Sequence, residues 1–182
     1  MIDFDVELDR QQFDQIIHTL KEVDPNNLSA RIASAINRTA QHARKIGDDK
    51  IRKVYTIKKR DITKRVSIER ASKGNLQAVI RVRGPEERVN VYKASLRKRS
   101  GVFVSIKKGG GTVVPRSFDM QNRKDFFARE GAARLPIRPL FGPSVPQLWG
   151  NEVVMENLQE ETLEMYQKRL RHELERLIWG GH

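Results

Sequence analysis

Between Val66 and Phe118 every apolar run is cut short by a turn signal: SKGN at 72–75, GPEE at 84–87, LRKRS at 96–100 and GGG at 109–111. Runs this short do not sustain a helix, but alternating ones form strands joined by tight connections. Leu76 to Arg83 sets Ala78, Ile80 and Val82 against Val79, Arg81 and Arg83. Val66 to Arg70, Val89 to Ser95, Gly101 to Lys107 and Thr112 to Phe118 read the same way, and Phe126 to Arg129 adds another strand. The middle of the chain is therefore an antiparallel, hairpin-rich sheet.

Helical periodicity lies on either side of it. Ile2 to Leu8 alternates as a short strand, after which Asp9 caps a helix carrying Phe13, Ile16, Ile17 and Leu20, and DPNN at 24–27 stops that helix. A second helix runs from Leu28 to at least Ile46, with Leu28, Ile32, Ile36, Ala40, Ala43 and Ile46 on one stripe; Gly47 ends or loosens it. Thr56 is placed to cap a short helix over 58–65. Residues 117–124 read as a polar, mobile connection. RLPIRPLFGPSVPQ, with Pro136, Pro139, Pro143 and Pro146, reads as an ordered extended segment without regular structure. A final helix runs from Asn151 to Trp179, with acids in its first half and Lys168, Arg169, Arg171 and Arg176 in its second, as the helix dipole favours. The fold class is α+β: a core domain over 1–150 and a long amphipathic helix over 151–182 that packs on the core or on a neighbouring subunit.

The chain carries a net charge of +12, unevenly spread. Residues 1–27 hold seven acids and two bases, residues 28–134 hold nine acids and 28 bases, and residues 135–182 hold seven acids and five bases. The segments therefore run −5, +19 and −2. A field like that of the middle attracts polyanions, either nucleic acid or an acidic protein surface. Its densest part is KIRKVYTIKKRDITKR at 50–65, from which Arg52, Lys53, Lys58, Lys59, Arg60, Lys64 and Arg65 are candidate polyanion- or partner-facing residues. A solvated face and a subunit contact are the other readings of the same run. Tyr55 and Tyr92 are the only aromatics near these charges, which is too few for a platform that stacks single-stranded bases.

Several chemistries are disfavoured. There is no cysteine, hence no disulfide framework, thiolate nucleophile or cysteine-ligated zinc. His18, His42, His172 and His182 show no metal-binding spacing, and Ser144 lies in GPSVP, not in a nucleophile elbow. The lysines of SIKKGGGTVVPRSF precede its glycines, and a strand follows instead of a helix, so the segment is a hairpin and not a phosphate-binding loop. Lys107 and Lys108 on that hairpin can still meet something acidic. The longest apolar runs fall far short of the roughly 20 residues that cross a bilayer, and the acidic start is unlike a signal peptide. A soluble protein made in the cytoplasm is expected, with no cofactor, metal, membrane or small-molecule substrate.

ASAINRTAQHARK at 33–45, the basic connector, the strands VSIER and LQAVIRV, the GGG hairpin, RLPIRPLFGPSVPQ and the long last helix follow one another in an order that resembles the prophage minor tail protein Z family of tailed bacteriophages. AINRT and RLPIRPLFGPSVP are the most specific parts. The resemblance implies a non-catalytic virion component that completes the tail at its head-proximal end, assembled in the host cytoplasm and located in the virion tail. It also implies kinship in fold with the small α+β proteins that form rings in phage necks and tails. Expected partners are other tail or neck proteins and further copies of the chain, with a possible DNA contact in the tail channel. Pro136, Pro139, Phe141 and Trp149 are the docking candidates. A nucleic-acid binder that uses residues 50–65 without sequence preference, and has no virion role, is the alternative.

Overall fold

Asp24 starts the longest element. Its side chain accepts from the N–H of Asn26 at 3.1 Å, and its carbonyl accepts from Asn27 and Leu28 at 3.0 and 3.1 Å. With Pro25 at the first helical position, DPNN begins a helix instead of merely ending one. This helix, α1 (Pro25–Val54, 30 residues), runs straight through Gly47. The glycine is tolerated because the Trp149 ring lies over it, where an added Cβ would collide.

The computed structural model describes residues 2–5, 24–120, 125–156 and 158–179. The helix expected from Asp9 and the last three residues of the Ile2–Leu8 strand fall outside these residues; the rest of that strand is β1 (Ile2–Asp5). Chain contacts divide the molecule into two units. One comprises Met1–Ile46, Val66–Arg81 and Met155–His182, the other Gly47–Arg65 and Val82–Val154.

The first unit holds a sheet of order β1-β3-β2, formed with β2 (Val66–Glu69) and β3 (Val79–Val82). Leu28, Ile32, Ile36, Ala40 and Ala43 of α1 are buried, as the helical spacing requires, and so are Ala78 and Ile80, while Ile46 at the end of the stripe is half-buried. Asn37 acts as a clamp: its amide donates to the Ala71 carbonyl at 2.9 Å and accepts from the Ala71 N–H at 2.8 Å. A single side chain thereby satisfies both backbone groups of a residue just after β2. Beside it, the fully buried Thr39 hydroxyl donates back to the Ala35 carbonyl at 2.9 Å. AINRT is thus a packing and clamping motif.

The single terminal helix expected from Asn151 is two helices, α4 (Glu152–Met155) and α5 (Leu158–Trp179). Val154, the last residue of the second unit, and Leu158, in the first, are both buried. Leu158, Thr162, Tyr166 and Glu173 form the buried line of α5, while Leu163 is exposed. Burial pushes the Tyr166 phenol up to about 12.

The second unit contains the last turns of α1, the short helix α2 (Lys59–Thr63) and three small sheets. Strands β5 (Lys93–Arg97), β6 (Gly101–Ser105) and β7 (Thr112–Val114) form one antiparallel meander. The register Val102 opposite Val114 confirms the hairpin reading of the triple-glycine segment. Strands β8 (Ser117–Asp119), β9 (Phe126–Arg129) and β10 (Ile137–Pro139) form a second, and β4 (Glu86–Arg88) pairs with β11 (Phe141–Ser144). Val89, Val102, Val104, Phe126, Ala128 and Leu140 make up one apolar cluster beneath these sheets.

Four expectations are corrected here. GPEE does not simply end a strand, because its two glutamates open β4. The run Val89–Ser95 divides into a 3₁₀ turn, Val89–Val91, and the start of β5. Pro115 and Arg116 form a turn that splits Thr112–Phe118 into β7 and β8, so Ser117–Asp119 is strand, not a mobile connection. The proline-rich segment is largely regular because each proline occupies a site that needs no N–H. Pro136 follows a cis bond, Pro139 lies on the edge strand β10, and Pro143 lies at the register shift of β11. Pro146 sits in the first turn of α3 (Val145–Trp149), which Ser144 and Gln147 close with a capping box.

Candidate interaction surfaces

Thr56 determines where the basic connector sits. It does not cap α2, whose cap position is Lys58 and has no side-chain bond. Its hydroxyl donates to the Ser105 carbonyl at 2.6 Å and accepts from the Lys93 N–H at 3.0 Å. Its own N–H donates to Ile106 at 2.9 Å, and the Lys108 N–H donates to Val54 at 2.8 Å. Tyr55 consequently lies opposite Lys107. Backbone pairing thus brings the lysines of the glycine hairpin beside the end of α1, a proximity with no trace in sequence spacing.

The nine candidate cations differ in what they can offer. Arg65 is structural: its Nε lies 2.6 Å from Glu87, which is nearly fully buried, and its side chain fills the space over Gly84. Arg52 pairs with Asp49 at 3.5 Å, and Lys64 and Arg60 pair with the buried Asp61 at 2.8 and 3.7 Å. Lys53, Lys58, Lys59, Lys107 and Lys108 are exposed and, among the described residues, carry no ion pair. Tyr55 and Tyr92 are buried, which raises both phenol pKa values; Glu87 and then Tyr55 add to the effect at Tyr92. The Tyr92 hydroxyl donates to the Pro143 carbonyl at 2.6 Å. Neither ring is available for base stacking, so a polyanion would meet charged groups without an aromatic platform.

The docking candidates also divide. Phe141 is 48% exposed and lines an apolar groove of about 480 Å³ together with Val104, Ile106, Val114, Leu140 and Lys107. The Arg88 guanidinium lies 5.2 Å from the Phe141 ring and 5.4 Å from that of Phe127, and is tied to Asp125 at 3.2 Å. Pro136 is exposed next to the exposed Leu135, and Pro139 is half-buried. Trp149 is only 3% exposed, with its ring against Gly47; it is a core residue with no surface to offer a partner.

Sequence reasoning passed over LRKRS, taken as the link between two strands. Arg97 ends β5 and Lys98 and Arg99 lie in the tight turn after it; all three are exposed, and a run of cations at a turn is the signal it offered. Among the described residues no group of His, Asp and Glu is placed to hold a metal ion, and no helix is long and apolar enough to cross a membrane.

The family model for prophage minor tail protein Z matches residues 11–179. The chain belongs to that family. Membership makes it a structural component of a phage tail, located in the virion tail among other virion proteins. No curated protein and no solved structure matches the chain. Two segments within the matched range have structural roles in this fold: AINRT packs and clamps the first unit, and RLPIRPLFGPSVP builds β10, β11 and the start of α3.

Proposed function

We propose that this protein completes the tail at its head-proximal end and joins tail to head, acting as one copy of a closed ring without catalysis. The family match over nearly the whole chain carries this reading. The groove at Phe141 supports it, since an apolar surface on so basic a chain suits a contact with another subunit. Charge supports it too. Residues 1–27 of one copy, at −5, complement the exposed Lys53, Lys58, Lys59, Lys107 and Lys108 of the next, which gives a head-to-tail contact that repeats around a ring.

Deleting the gene from an inducible prophage tests the site of action. Electron microscopy of the lysate is expected to show filled heads and separate tails, with joined virions restored by the gene supplied in trans. Intact virions in the deletion lysate would refute the joining role.

A further inference from the structure

At one end of the second unit, five cations surround a concave basin of about 400 Å³ whose lining contains no acid: Arg97, Lys98, Arg99, Arg116 and Arg129. The sequence gives no hint that they meet, because they come from three separate hairpin ends. Arg97 pairs with Gly101 on the last rung of β5 and β6, and Lys98 and Arg99 lie in the turn between those strands. Arg116 is in the turn between β7 and β8. Arg129 ends β9 and donates its N–H to the Arg116 carbonyl at 3.1 Å.

The floor of the basin fixes these ends together. The buried Ser117 hydroxyl accepts from the Val102 N–H at 2.6 Å and donates to the Val114 carbonyl at 2.5 Å. Gly101, at φ +109°, lies so close that an added Cβ would overlap the Val114 carbonyl oxygen. Arg99 and Arg116 have φ of 66° and 56°, in the left-handed region that glycine and asparagine occupy at lower cost. Both arginines therefore stand in turns that bring them to the basin at a backbone conformation uncommon for such a side chain.

Two of the guanidiniums are also held in position. The Arg97 group lies 4.6 Å from the Phe103 ring centre and the Arg129 group 4.9 Å from that of Phe118. Stacking occupies one face of a guanidinium and leaves its N–H edge free for a paired contact with oxyanions. Among the described residues none of the five has an ion-pair partner.

We propose that this basin binds the phosphodiester backbone of DNA. Four of its five cations are arginines, the side chain best matched to phosphate oxygens, and phosphate contacts of this kind are indifferent to sequence. A protein partner would need an apolar centre to its contact, and Leu96 is the one large apolar side chain in the lining. The apolar groove at Phe141 supplies such a centre elsewhere on the unit, which separates a protein-binding surface from a DNA-binding one.

The test measures binding of a labelled 20-base-pair duplex to the full chain over a range of salt. Combining Arg99→Gln, Arg116→Gln and Arg129→Gln is expected to lower affinity at low salt by about 30-fold or more and the salt slope by about 2 to 3, near 0.9 per lost phosphate contact. Lys53→Gln, Lys58→Gln and Lys59→Gln together remove the same charge and are expected to change affinity by less than about threefold. Equal losses in the two triples would mean a general charge field and overturn the proposal, as would unchanged binding in the first triple or no binding by the parent chain. If the first triple melts below the parent, Lys98→Gln with Arg129→Gln serves in its place, since neither position is at positive φ. The assay uses the free protein, so its failure leaves the head-joining role untouched.

Discussion

Replacing Arg31 and Arg38 together by alanine is expected to destabilise the fold by about 3 to 5 kcal/mol, the usual cost of leaving a buried charge without its partners. The charge is Glu173, which is 1% exposed on α5. Its two oxygens lie 3.5 Å from Arg31 and 3.2 Å from Arg38, both on α1. Either arginine alone still faces the carboxylate, so each single replacement should cost well under half of the pair, and the two effects should not add. Glu173→Leu is expected to behave differently. The arginines are 42% and 45% exposed and can turn to water, while leucine fills the vacated space, so the change should be nearly neutral or stabilising. Urea unfolding monitored by circular dichroism gives the order. A Glu173→Leu loss as large as that of the double arginine variant would show that the ion pairs themselves stabilise the fold.

Trp149→Ala is expected to cost about 3 to 5 kcal/mol through the cavity left by a ring buried to 3% exposure. Gly47→Ala should also destabilise, although alanine in an exposed helix interior would gain about 1 kcal/mol over glycine. The reversal arises because the new methyl would occupy the space of the Trp149 ring. Combining the two changes should recover part of the loss, since the methyl then enters the cavity. A double-mutant cycle by thermal or urea unfolding measures this coupling. Additive losses would mean that the ring and the glycine do not share one space.

The same pair shows what a sequence reveals and what it hides. The apolar stripe from Leu28 to Ala43 and the alternation of Ala78 and Ile80 were legible because a period of 3.6 or 2 lies in consecutive residues. Gly47 read as a weak point because the ring that explains it is about a hundred positions away in the chain. Trp149 read as a docking residue for the same reason: an aromatic among prolines looks exposed until its partner is known. The proline segment hid β10 and β11 because edges and bulges accept proline without a mark in the local pattern. The connector was legible as a basic run, but not its division into paired and unpaired cations, which depends on Asp61 and on a hairpin some fifty residues later. The Arg97 to Arg129 basin was invisible since no window of the sequence contains it.

Native mass measurement of the purified protein at low and high salt, paired with electron microscopy, tests the ring most directly. The parent chain is expected to form closed rings that persist at high salt, because apolar contact outlasts screened charge pairs, and Phe141→Asp is expected to yield monomers. A parent chain that is monomeric at every salt concentration, or rings that form equally well with Phe141→Asp, would contradict an assembly built on the Phe141 groove.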